Sequence, residues 1–144
     1  MTDTPRARLH HIAITVTDVD ASVRWYESVF GVKFLMEAPH EGGTGMLLAD
    51  EKFELAIVLH RHDANDGELF KETVTGLDHL GLGVATRADL EAWVTHLESH
   101  GVVRSEAADR PLTQSPIAET PYGSILVFRD PDNIQLELFA PPGT

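Results

Sequence analysis

Two stretches of this chain are copies of one pattern: "HIAITVTDVDASVRWYESVFGV", from His11, and "HLGLGVATRADLEAWVTHLESHGV", from His79. Each opens with a short alternating run, passes a turn rich in Asp or Thr, and continues as a helical pattern ending in Gly-Val. The offset between copies is nearly constant from the opening histidines to the closing glycines, Gly31 and Gly101. Duplication of one unit is the simplest account. It constrains the fold strongly, because whatever the first half forms, the second half forms too. At 144 residues the chain has room for a single domain, residues 1–144, holding module one over about 8–62 and module two over about 76–140.

In the first copy, residues 9–16 read as a strand. Asp18 or Asp20 can cap a helix over about 20–30 whose apolar stripe is Val23, Tyr26, Val29 and Phe30, and Gly31 stops it. Short strands are expected at about 32–37, 45–49 and 53–60. The second copy predicts a strand at 78–84, a helix at about 87–100 with Leu90, Trp93, Val94 and Leu97 on one side, and strands near 102–105, 123–129 and 133–139. The order in each copy is strand, helix, three strands, an α+β arrangement. Residues 61–76 read as a polar connection that could form a lid or a short helix, and residues 107–121 as a long pocket-lining loop. Two such sheets, each covered by a helix on one face, can curl around a common cavity.

Strand alternation indicates which side chains that cavity would receive. His11, Ala13 and Thr15 share one face of the first strand, and Ile12, Ile14 and Val16 the other. His79, Gly81 and Gly83 repeat the small-residue face against Leu80, Leu82 and Val84. The bulky aliphatic set packs on the helix, so both histidines look into open space. In the last strand Ile134, Leu136 and Leu138 form the aliphatic face, which turns Gln135, Glu137 and Phe139 inward. Asn133, in the tight turn "DPDN", occupies a position that calls for a left-handed residue. A carboxylate directed at two imidazoles is costly unless a cation joins them. Two histidines and one carboxylate suit Fe(II), Mn(II), Ni(II), Co(II) or Zn(II). The corresponding strand of module one is less clear: counted from the preceding turn, Ala56 stands where Glu137 stands. His60, Glu54 or a water could fill a fourth metal position, and His60 is preferred. His10 reads as a surface or helix-packing residue, His62 as a loop partner of Asp63, and His40, His96 and His100 as solvated.

Eleven Lys and Arg against 23 Asp and Glu give a net charge of −12, which repels a phosphate backbone, so nucleic acid is not an expected partner. No apolar run is long enough to span a bilayer, the N-terminal stretch lacks a signal-like apolar segment, and cysteine is absent; these points favour the cytoplasm.

The runs "LHHIAITVTDVDASVRWYESVFGV", "DHLGLGV" and "VFRDPDNIQLELF" resemble the vicinal oxygen chelate superfamily, the glyoxalase, bleomycin-resistance and extradiol dioxygenase group. The resemblance covers about residues 8–140. It implies paired βαβββ modules around an open barrel-like cavity, commonly in a homodimer, with a divalent metal held by the first and last strands of each module. By motif, the metal positions carry over to His11, His79 and Glu137, with His60 as the preferred fourth. Asn133 replaces the glycine usual in that turn. The implied function is metal-dependent lyase or isomerase chemistry on a small oxygen-chelating substrate, with Glu137 also catalytic. An extradiol-type ring-cleaving dioxygenase and a metal-free drug-binding protein are the alternatives. Thiol addition to a phosphonate epoxide would require inward Lys or Arg, which the pattern does not supply.

Overall fold

A computed structural model describes residues 3–144. The chain divides into two compact units, one ending at Asp66 and the other running from Gly67 to Thr144.

Unit one is built from β1 (Ile12–Thr15), α1 (Val19–Phe30), β2 (Lys33–His40), β3 (Gly43–Ala49) and β4 (Ala56–His62). Its four strands lie in the order β1-β4-β3-β2, with β1 parallel to β4 and the other pairs antiparallel. The helix starts where Asp18 accepts a hydrogen bond from the Ala21 amide at 3.0 Å, and it stops at Gly31, whose φ of 70° few side-chain-bearing residues adopt. Between these caps Val19, Ser22, Tyr26 and Val29 are buried, and Leu48, Ile57 and Leu59 are buried on the sheet. Each large aliphatic side chain so removed from water contributes about 1.5–3 kcal/mol.

Unit two comprises β5 (Leu80–Gly83), α2 (Arg87–Ser99), β6 (Val103–Arg104), β7 (Thr113–Gln114), β8 (Ala118–Thr120), β9 (Gly123–Arg129) and β10 (Gln135–Ala140). The strands run β5-β10-β9-β7-β6, with β8 also paired to β9. A capping box opens α2: the Asp89 amide donates to the Thr86 hydroxyl, and the Asp89 carboxylate accepts from the Thr86 amide. Leu90, Val94 and Leu97 are buried on the helix, and Leu126, Leu136 and Leu138 on the strands. Each unit is thus a small α+β layer with one helix on a mixed sheet. Among the described residues, no helix is long and apolar enough to cross a membrane.

Three expectations change. The last strand of unit one begins at Ala56, not Phe53. Asp50 builds a turn there, accepting the Leu55 amide on its side chain and the Phe53 amide on its carbonyl. Phe53 has a φ of 58°, which takes it and Glu54 out of the alternation. The connection after β4 contains no helix. Its Phe70 amide donates to the Asp132 carbonyl and its Glu72 carboxylate accepts from Arg129, both within unit two. The loop at 107–121 holds β7 and β8. Asn133 does take the left-handed conformation, φ 67°, in a turn where the Asp130 carboxylate accepts the Asp132 and Ile134 amides.

Candidate metal centre

In unit two, β10 runs parallel to β5 with Leu136 beside Leu80 and Glu137 beside Gly81. The aliphatic residues of both strands lie on the more buried face, which leaves Glu137 half-buried on the other. His79 directly precedes β5. Its Nε2 lies 3.6 Å from Glu137 Oε2, and its Nδ1 lies 2.6 Å from Asp78 Oδ1. An ionised carboxylate only accepts hydrogen bonds, so Asp78 keeps a proton on Nδ1. In neutral His79 that leaves a bare lone pair on Nε2 facing a second acceptor. The two acceptors so opposed form a geometry that a metal ion between nitrogen and oxygen would satisfy. A ligating histidine commonly has its other ring nitrogen held by a carboxylate, as here. The donor set therefore fits a divalent transition metal.

Unit one repeats the backbone and changes the side chains. Ile12 lies beside Ile57 and Ala13 beside Val58, so the residue equivalent to Glu137 is Val58 rather than Ala56. Ala56 is buried with the core. His11 occupies the place of His79 and is exposed. His10 occupies the place of Asp78 and is exposed: its Nδ1 lies 2.9 Å from His11 Nδ1, and its ring also meets Phe53. Glu54 is exposed in the turn.

His60 sits four residues beyond Ala56 on β4, with its Nδ1 3.2 Å from His40 Nε2. Its ring centroid is 5.2 Å from that of His40 and 5.8 Å from that of His62. Burial lowers its pKa, and the neighbouring charges of His40, His62 and His11 lower it further. His40 is exposed, as expected, but it stands at a strand end and in a histidine cluster instead of in a loop. His62 belongs to the same cluster, while Asp63 pairs with Arg61 at 2.5 Å. The structure accordingly brings His79 and Glu137 together in unit two, and sets His11 and His60 in unit one. Asp78 escaped the sequence reading, although its position directly before His79 was the available signal. Of the remaining candidates, Tyr122 stacks on Phe139 at 6.4 Å, and the buried Arg129 guanidinium is committed to Glu72 and to the carbonyls of Ala108 and Asn133.

The family model of the Glyoxalase/Bleomycin resistance protein/Dioxygenase superfamily matches residues 8–138. The chain is 30% identical over 135 residues to the uncharacterized protein YaeR of Escherichia coli K12, covering 92% of this chain and 95% of that one. A glyoxylase/bleomycin resistance protein/dioxygenase domain from Frankia sp. EAN1pec superposes with a TM-score of 0.82 at 33% identity, covering 97% of this chain and 96% of that one. The fosfomycin resistance protein FosX of Listeria monocytogenes shares the fold at a TM-score of 0.70 and 16% identity, covering 95% and 94%. FosX has also been crystallised with Mn(II).

Proposed function

Because this chain belongs to the glyoxalase/bleomycin resistance/dioxygenase superfamily, we propose that it is a divalent-metal-dependent enzyme of the glyoxalase type, a lyase or isomerase for a small substrate that presents adjacent oxygens. The observation that carries this reading is the opposition of His79 Nε2 and Glu137 Oε2, two acceptors 3.6 Å apart with Asp78 holding the far side of the ring. A bound dication would supply Lewis-acid stabilisation of negative charge developing on substrate oxygen. Asp78 orients the His79 ring and sets its tautomer. Glu137, half-buried on β10, is the group we assign to accept a substrate proton. The family resemblance adds His11 as a further expected ligand.

FosX with Mn(II) supports the fold's capacity for such an ion. Its chemistry on a phosphonate finds no support in Arg129, whose guanidinium is already committed. The proposed protein partner is a second copy of the chain. In support, all eight residues of β2 are exposed at the edge of its sheet, Phe34, Leu35 and Met36 among them. Sedimentation of wild type against Leu35→Glu tests that point, with loss of dimer expected.

The central experiment is metal titration of untagged, chelator-treated protein with Mn2+ or Ni2+. His79→Ala and Glu137→Ala should each weaken binding at least tenfold, and His11→Ala tests the sequence assignment in the same way. Unchanged binding in both unit-two variants overturns the assignment of the ion to His79 and Glu137, and a wild type that takes up no metal favours a metal-free binding protein. Turnover of the methylglyoxal–glutathione hemithioacetal, set against oxygen uptake with catechols, then separates isomerase from dioxygenase.

A further inference from the structure

The geometry points to a second metal site in unit one, a three-imidazole pocket formed by His40, His60 and His62 that takes a transition-metal dication such as Zn2+, Co2+ or Ni2+. It draws on no residue of unit two and stands independently of the His79–Glu137 reading.

The strand register brings the three rings together. Gly43, at the start of β3, pairs with His40 on one side and with His62 on the other. Two positions along β3, on the same face, Gly45 pairs with His60. The middle strand of this three-strand row therefore contributes no side chain where the imidazoles lean together. The clearance is required. A Cβ on Gly45 would stand 2.9 Å from His60 Cε1 and 3.2 Å from its Nε2, whereas one on Gly43 would first strike the Arg61 carbonyl oxygen and then stand 2.9 Å from His40 Cε1. Above these glycines one ring nitrogen from each histidine lies within 4.8 Å of the others. Nitrogens sharing one tetrahedral ion at about 2.1 Å stand roughly 3.4 Å apart, so small rotations of the outer rings close the set. His40 Nε2 and His60 Nδ1, at 3.2 Å, are already at that spacing.

The protonation pattern favours ligation. The Glu41 carbonyl lies 3.0 Å from His40 Nδ1 and can only accept, which places the proton there and the lone pair on Nε2, toward His60. The three rings border a cavity of about 390 Å³ that Ala13, Ile14 and Thr15 also line, which leaves a bound ion a coordination position open to water or an anion. An all-nitrogen donor set selects borderline metals and disfavours Mg2+ and Ca2+, which need oxygen ligands.

The test uses the untagged full chain carrying His79→Ala and Glu137→Ala, stripped with chelator and titrated with Co2+ and separately with Mg2+. One equivalent of Co2+ should bind with visible d–d absorption, its binding should shift the imidazole resonances of three histidines, and Mg2+ should not compete. Adding His40→Ala or His60→Ala should weaken Co2+ binding at least tenfold. Gly45→Ala, which keeps every imidazole and fills the floor, should weaken it as well. The proposal is overturned if the double variant takes up no Co2+, or if the His40 and His60 replacements leave its affinity unchanged. Should the double variant fail to fold, His40→Ala in the wild-type background serves instead, with two equivalents expected to fall to one. Failure of this site would leave the equivalent lost in His79→Ala untouched, so the two readings are separable.

Discussion

In each unit the opening strand lies parallel to the closing one: Ile12 lies beside Ile57 as Leu80 lies beside Leu136. One position further along, the shared backbone presents Val58 in one unit and Glu137 in the other. The residue before each opening histidine touches its Nδ1 in both, but it is His10 in unit one and Asp78 in unit two. Asp78 can only accept, so the tautomer of His79 is determined. Between two imidazoles either ring can donate, so that of His11 is not. Unit one instead gathers histidines at the hairpin end of its sheet, where unit two has no counterpart among the described residues. The aliphatic faces hold register in both units, because a one-residue slip would turn every leucine and isoleucine to the wrong side. The opposite faces carry no such constraint and have diverged. A βαβββ unit thus supplies positions for metal ligands and does not choose the ligands.

If the aliphatic faces are equivalent, Leu59→Ala in unit one and Leu138→Ala in unit two should each cost about 2–5 kcal/mol in denaturant unfolding, since both side chains are fully buried. A large loss in one and none in the other would show that the units do not share the same structural dependence on that face. The orienting residues should separate next. Asp78→Ala is expected to lower metal affinity about 10- to 100-fold in calorimetric titration, as removal of a ligand's outer carboxylate does. His10→Ala should have the smaller effect, and equal effects would refute the distinction drawn between them. Val58→Glu places in unit one the carboxylate that unit two already has. Without metal it should destabilise by about 1–3 kcal/mol, as an unpaired half-buried charge, and added Ni2+ should restore part of the loss in thermal melts. No recovery would mean that the position is structurally equivalent to Glu137 but not chemically so. The helix starts differ least. Thr86→Ala and Asp18→Ala should each cost about 1 kcal/mol, and Asp89→Ala should add a loss at α2 that α1, which lacks the reciprocal bond, cannot show.

The inner and outer faces of β1, β5 and β10 were legible because alternation is local: each side chain's face follows from its neighbours two residues away. The helix stop at Gly31 and the left-handed Asn133 were legible for the same reason. The fourth strand of unit one was not. Counting from its turn assumed that both turns have one length, and the Asp50 turn, with Phe53 at positive φ, lengthens one of them. That shift moved the Glu137 equivalent from Ala56 to Val58. His40 was misplaced for a related reason. Its strand continues to the hairpin, and only the pairing of β2, β3 and β4 reveals that Gly43 separates it from His62.

By itself, then, the order of residues determined the duplicated α+β unit, the aliphatic stripes that bury against each helix, and the polar and histidine-bearing residues left on the free faces. Which free-face residues meet was decided by tertiary structure: Asp78 and Glu137 on either side of His79, and three imidazoles above two glycines. The physical reason is one of range. Periodicity is written over a few residues, whereas cross-strand register joins segments tens of residues apart through turns whose geometry no periodic pattern encodes.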